Sequence, residues 1–264
     1  MRFGCCLNMV AKNPDGTGIE NIEIAAKAGF DYVELPLAEM MQLPEDQFKQ
    51  LKDKLKSSNI RCEACNNFFP KTMRLTGEKV SPDLIEYVEQ ALNRAQQLGV
   101  EYITFGSGAA KNVPENFSKK EGYMQVVGLL KLIAPISRAY GITIVIEPLR
   151  KAECNIINTF AEACELAHVV NHENVRALVD YYHMMEEKEP IENLVITGKE
   201  YLRHVHFARH QGRSYPKKID EEDYKPFIEA LRAIDYNGRV SCEAYTKDFA
   251  ASAPKAVEFF KENF

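Results

Sequence analysis

The run ITIVIEPLRKAECNIINTFAEACELAHVVNHENVRALVDYYHM, residues 142–184, holds one full structural period of the chain. Thr143–Leu149 is β-branched and apolar with almost no polar alternation, the pattern of a strand covered on both faces. Thr159–Val170 then places apolar residues at helical spacing, and Val175–Tyr181 is again a short apolar strand. A strand, a helix and a strand in this order form a βαβ unit, whose two strands run parallel.

The same alternation extends in both directions. Towards the N-terminus the predicted strands are Arg2–Met9, Asp31–Leu37, Arg61–Phe68 and the YITFGSG run from Tyr102. The intervening helices are Ile19–Ala28, closed by Gly29, then Pro44–Ser57, Pro82–Leu98 with Ser81 as N-cap and Gly99 as stop, and Lys119–Tyr140 closed by Gly141. Towards the C-terminus come a helix at Ile191–Tyr201, a strand at Leu202–Ala208, a helix at Asp223–Ile234, a strand at Arg239–Tyr245 and a helix at Ala250–Asn263. Eight strand–helix units in 264 residues match the length of a closed (β/α)8 TIM barrel, read as a single domain over 1–264. An open doubly wound sheet would more often show a glycine fingerprint after an early strand, and none is present.

Bulk properties narrow the function classes. With 45% hydrophobic residues there is enough apolar material for a large core, which excludes a disordered chain. The formal net charge is −5, and no lysine–arginine cluster stands out, so no nucleic-acid partner is expected. No window approaches 18 uncharged apolar residues, and the opening MRFGCCLNMVAKNPDG lacks the apolar stretch of a signal peptide. No membrane association and a cytoplasmic location are therefore expected. Seven cysteines, an odd number scattered over the chain, read as reduced core residues. Cys62 and Cys65 form a C-x-x-C in a predicted strand. Three residues apart, they are expected on opposite faces, which suits packing better than joint ligation.

Chemistry in a barrel of this type sits at the C-terminal ends of the strands. Four consecutive predicted strands carry an ionisable group there: Glu147 in ITIVIEPL, Asp180 in VRALVDYYHM, His206 in LRHVHFAR and Glu243 in RVSCEAY. Spacings of 33, 26 and 37 residues are each about one strand–helix unit, so the side chains converge laterally. His204, two residues before His206, reads as a hydrogen-bonded barrel-interior histidine. Three carboxylates in a dry pocket would repel and protonate unless a cation compensates them. One divalent metal ion answers that need. The oxygen-rich set suits Mn²⁺, Mg²⁺ or Co²⁺ better than a thiolate-bound structural zinc; Mn²⁺ is the expected ion, with Mg²⁺, Co²⁺ or Zn²⁺ as alternatives.

The runs IEPLRKAECNIINT (146–159), LVDYYHM (178–184), HVHF (204–207) and IEALRAIDYNGRVSCEAY (228–245) resemble the xylose-isomerase-like sugar isomerase and epimerase superfamily. Within it the D-tagatose/D-psicose 3-epimerase type is nearest. The resemblance implies metal ligation by Glu147, Asp180, His206 and Glu243, and substrate contacts from Glu153, His183 and Arg213. It further implies a small-molecule sugar substrate, with Glu147 and Glu243 as the catalytic pair that inverts C3 of a ketose through a cis-enediolate. Aldose–ketose isomerases, and dehydratases or lyases acting on keto-sugars or keto-inositols, share such a site, and endonuclease IV-like repair enzymes share the barrel. The first four predicted strands contain no histidine, unlike those multi-zinc nucleases, which take ligands from most strands. A homo-oligomer, dimer or tetramer, is compatible with the fold. The chain departs from the family at FARHQGRSYPKKID, where Arg209 and His210 are inserted and the glycines of a P-G-x-G turn are missing. CNNFFPKTMRLTG (65–77) is also distinct, and Asn67, Phe68 and Phe69 are expected to shape the far end of the pocket. Gly106-Ser107-Gly108 would be the source of backbone amides if the substrate carried a phosphate.

Overall fold

The computed structural model describes residues 1–264. Eight parallel strands close in sequence order, β1 pairing with β8. They are β1 Arg2–Cys6, β2 Tyr32–Pro36, β3 Arg61–Asn66, β4 Tyr102–Phe105, β5 Thr143–Ile146, β6 Val175–Asp180, β7 Leu202–Phe207 and β8 Arg239–Cys242. Helices surround the barrel, the longest being Glu45–Ser57, Leu84–Leu98, Lys119–Ala139, Phe160–Val170 and Phe249–Asn263. Their apolar faces pack on the outward side chains of the strands, such as Val33, Ile103, Ile144, Val179, Val205 and Val240, in one contiguous core. No helix is long and apolar enough to cross a membrane.

The predicted elements are present, with shorter strands. β1 stops at Cys6, the last residue facing β2, and the chain turns into a 3-10 segment, Leu7–Val10, so the predicted strand end at Met9 is not strand. β3 ends at Asn66 because Asn67 takes a positive φ of 48°. Thr159 caps Phe160–Val170 through a full capping box with Glu162. Ser81 does not cap the helix expected after it. That helix begins at Leu84 behind Asp83, and the Ser81 hydroxyl instead accepts from the Arg74 amide at 2.9 Å.

The C-x-x-C expectation needs a correction in its geometry. The β2–β3 register slips between Val33 and Glu34, so that Cys62 faces Val33, Ala64 faces Glu34 and Cys65 faces Leu35. The extra residue, Glu63, makes a bulge that restores Cys62 and Cys65 to the same face. Both are buried in the apolar layer under the helices, and both are free thiols.

The barrel interior differs from that layer. Tyr32, Glu34, Thr104, His204, His206 and Ser241 are all fully buried within it. Room for Tyr32 comes from Gly4, where a Cβ would lie 2.4 Å from the tyrosine ring. The polar residues there are partnered by one another, with only the Nδ1 of His204 left without a hydrogen bond.

Candidate active site

β5, β6, β7 and β8 are successive staves, so their C-terminal ends are side by side. Glu147 directly follows β5, Asp180 ends β6, His206 is next to last in β7, and Glu243 directly follows β8. One potential ligand atom from each of these four buried side chains lies within 4.8 Å of the others. His206 Nδ1 is 3.0 Å from Glu147 Oε1 and 3.3 Å from Glu243 Oε2. Gly106 leaves room for this carboxylate, since a Cβ there would stand 2.1 Å from Glu147 Oε2 and displace it.

This cluster is rich in negative charge. Burial and the neighbouring Glu243 raise the Glu147 carboxyl above its ordinary value. Burial pushes Glu243 the same way, but Arg213 and His206 outweigh it and hold that carboxyl well below the usual range. The Arg213 guanidinium donates to Asp180 Oδ2 at 3.3 Å and to Glu243 Oε2. Asp180 Oδ1 accepts from the Tyr182 amide at 2.7 Å, which fixes the carboxylate at the start of the Tyr181–Glu186 helix. Three carboxylates and one imidazole nitrogen form a donor set suited to a hard or borderline divalent ion, and the crowding felt by Glu147 is what such an ion relieves.

A cavity of about 300 Å³ opens above the cluster, with Glu147, Glu153, His183, Arg213 and Glu243 in its wall. All three residues expected to contact substrate are therefore brought to the metal-ligand candidates. His183 is buried, its Nδ1 accepts from the Arg150 amide at 3.3 Å, and its Nε2 has no hydrogen-bond partner. A buried, unsatisfied ring nitrogen at a cavity wall is a group prepared for a ligand. Arg150 donates to Glu153 at 2.6 Å and to Glu186 at 2.9 Å, which holds Glu153 at the rim. Arg213 has a positive φ of 44° after Gly212, and its guanidinium lies 4.8 Å from the Tyr182 ring centroid. The two inserted residues anchor this loop: Arg209 donates to Glu222 at 3.2 Å, and His210 Nε2 is 2.8 Å from Glu186.

Asn67 and Phe69 line the far side of the cavity as expected. Phe68 does not; it is fully buried behind Phe69, with ring centroids 4.3 Å apart. Ser107 and Gly108 also reach the cavity, but the Ser107 hydroxyl is engaged with the Phe69 amide at 3.0 Å.

Two residues of the site escaped the sequence reading. Glu34, from β2, is fully buried beneath the metal-ligand candidates and touches His206 Nε2 at 3.0 Å and His204 Nε2 at 2.9 Å. Its signal was present, an acid inside the apolar run YVELP, which parallels Glu147 in IVIEP. Lys111 is fully buried and donates to the Glu147 carbonyl at 3.0 Å and the Phe105 carbonyl at 3.4 Å. Desolvation lowers its pKa. Nothing in its polar neighbourhood, AAKNVPEN, marked it as different from an ordinary loop lysine.

Comparison with known proteins agrees with this fold. A family model described as a xylose isomerase-like TIM barrel matches residues 22–263. Among curated proteins, an L-ribulose 3-epimerase of Methylomonas sp. (strain DH-1) is 26% identical, the alignment covering 91% of this chain and 89% of that protein. An inosose isomerase of Bacillus licheniformis is 25% identical over 97% of this chain and 95% of its own length. Among solved structures, a D-psicose 3-epimerase crystallised in the presence of D-fructose superposes with a TM-score of 0.87 at 22% identity, covering 100% of this chain and 99% of that one.

Proposed function

The chain belongs to the xylose isomerase-like TIM barrel family, and we propose that it is a divalent-metal-dependent isomerase that inverts the configuration at C3 of a ketose. The observation that carries this reading is the pairing of Glu147 and Glu243. Both line one cavity, both reach the same nitrogen of His206, and they come from staves three positions apart. Two carboxylates so placed can address the two faces of one carbon.

Glu147, Asp180, His206 and Glu243 would hold the ion. When bound, a divalent cation supplies Lewis acidity that makes a C–H beside a carbonyl easier to deprotonate. One glutamate accepts the C3 proton, leaving a cis-enediolate, and the other returns a proton to the opposite face. Exchange of roles runs the reaction backwards, and no electrons leave the substrate. His183 Nε2 and the Arg213 guanidinium donate to oxygens on which charge develops, and Glu153 accepts from a hydroxyl. Mn²⁺ suits the oxygen-rich donors best.

The test is incubation of ketoses with the Mn²⁺-loaded enzyme in D₂O, followed by chelator quenching and proton NMR of the products. Deuterium at C3 together with the C3 epimer is the expected result. A second reading, proton transfer between C1 and C2 or within a keto-inositol, draws support from the inosose isomerase relatives. It predicts label at those carbons instead. Absence of exchange into any ketose or keto-inositol overturns both.

A further inference from the structure

Below the four metal-ligand candidates the barrel interior holds a second, fully buried polar cluster, with Glu34 at its centre. Glu34 is 0% exposed, an expensive position for a carboxylate unless its lone pairs are met. They are met completely. Oε2 accepts from Ser241 Oγ at 2.7 Å and faces His204 Nε2 at 2.9 Å. Oε1 accepts from Thr104 Oγ1 at 3.3 Å and faces His206 Nε2 at 3.0 Å. Tyr32 is 2.8 Å from Ser241 Oγ, so its hydroxyl can donate there while the serine hydroxyl points to Glu34. These side chains come from β2, β4, β7 and β8, so the carboxylate is gripped from several directions.

His206 is the one residue shared by this cluster and the cluster above. Its Nδ1 faces Glu147 and Glu243, and its Nε2 faces Glu34. A neutral imidazole carries one proton, and only the bare nitrogen can bind a cation. An ionised carboxylate can only accept, so a hydrogen bond between Glu34 and His206 needs the proton on Nε2. That leaves the Nδ1 lone pair aimed at the three upper carboxylates. Cys6 Sγ, 3.9 Å from Nε2, is too distant and too poor an acceptor to compete with Glu34.

We propose that Glu34 is a positioning residue for the metal centre, fixing the Nε2–H tautomer and the ring orientation of His206, and that His204, Ser241 and Thr104 act by fixing Glu34. This rests on the reading that Glu147, Asp180, His206 and Glu243 hold a divalent ion. Glu34 itself touches neither ion nor substrate. A carboxylate, unlike an amide, presents no N–H to its neighbours. In Glu34→Gln the amide nitrogen opposes at least one of the surrounding donors. Where that donor is His206, its proton is driven to Nδ1, the position the ion must occupy.

The experiment needs no sugar. Free Mn²⁺ is followed by EPR during titration of metal-stripped wild type and Glu34→Gln. Wild type should bind one ion per chain, and Glu34→Gln should bind about 10–100-fold more weakly. A purely structural role would lower the melting temperature and leave that constant unchanged. In parallel, long-range ¹H–¹⁵N spectra of Zn²⁺-loaded wild type should show His206, identified by the signals missing in His206→Gln, protonated at Nε2 and bare at Nδ1. This second measurement reads the His206 tautomer even if Glu34→Gln does not fold. An affinity in Glu34→Gln within twofold of wild type, or two ions per chain with Glu34 as a ligand, overturns the proposal while the metal reading survives; an Nδ1–H ring in the loaded protein takes His206 out of the ligand set and overturns both. Failure of wild type to bind any divalent ion removes both.

Discussion

The two ends of this barrel use the same residue types to opposite effect. At the N-terminal end Arg2 and Arg239 both donate to Glu63, and Arg239 also donates to Glu101 at 2.6 Å. Two cations meet two anions, in the floor of an open polar depression that Asp31, Lys56 and Arg61 also line. At the C-terminal end Glu147, Asp180 and Glu243 converge on Arg213 and two imidazoles, His206 and His183, beneath an open cavity. Charge matching at the first end ties strand ends together, and charge excess at the second makes a place for a cation and a substrate. A column joins them along the barrel axis: Arg239 lies over the Tyr102 ring, Tyr102 stacks on His204, and His204 meets Glu34 beneath His206. In barrels generally the bottom face serves stability and the top face chemistry. Here the balance of charge shows which is which without any bound ligand.

The largest effect should come from the top. Glu147→Gln is expected to reduce solvent-deuterium exchange into substrate by roughly 10²–10⁴. Its metal-free thermal stability should equal or exceed wild type, since burial and Glu243 already oppose ionisation of that carboxyl. A variant that loses activity by unfolding would contradict the contrast between the ends. Next comes the ion. At a hundredfold excess over its dissociation constant, a bound cation should stabilise the fold by about 2.7 kcal/mol. For a chain of this size that is roughly 5–10 °C of melting temperature, reversed by chelation and diminished in Glu147→Gln.

The bottom should behave inversely. Arg239→Met keeps an apolar stem but leaves the nearly buried Glu63 with Arg2 alone, and should cost about 1–3 kcal/mol in denaturant unfolding. Its kcat/KM should stay within about twofold of wild type, because the substituted group is remote from the cavity; a large loss of turnover would mean the axial column transmits to the site. The smallest effect is in pH. Burial pushes the Glu63 carboxyl up, but hydrogen bonds and charge from Arg2 and Arg239 outweigh it and leave its pKa below the ordinary value. A depressed carboxylate contributes stability fully above its unfolded pKa, about 4.3 for Glu, and loses it as pH falls through the folded value. The gap in stability between wild type and Glu63→Gln should therefore be on the order of 1 kcal/mol at neutral pH and shrink below about pH 4. A gap that widens with acid would reverse the assignment.

The positions that carry the site were legible to different degrees, for physical reasons. Glu147, Asp180, His206 and Glu243 each interrupt an apolar strand near its C-terminal end, and four such interruptions at one-unit spacing are visible in a linear text. Glu34 interrupts a strand in the same way, yet stands alone on β2, far in sequence from the other four. Lys111 looked like loop surface until the Gly108–Lys111 turn folded it against the carbonyls of β4 and the residue after β5. The shared face of Cys62 and Cys65 depends on a bulge that exists only in the pairing of two strands. Phe68 and Phe69 are neighbours of the same type, and only packing sends one to the cavity and the other behind it.

Element type, element order and the ends of the strands follow from periodicity and capping, which act over a few residues and are written locally. Contacts such as Glu34 with His206, or Arg2 with Glu63, link residues 172 and 61 positions apart. They exist only once the sheet has closed and its register has chosen which side chains share the interior. That choice is a collective property of eight strands, so no single stretch of chain contains it.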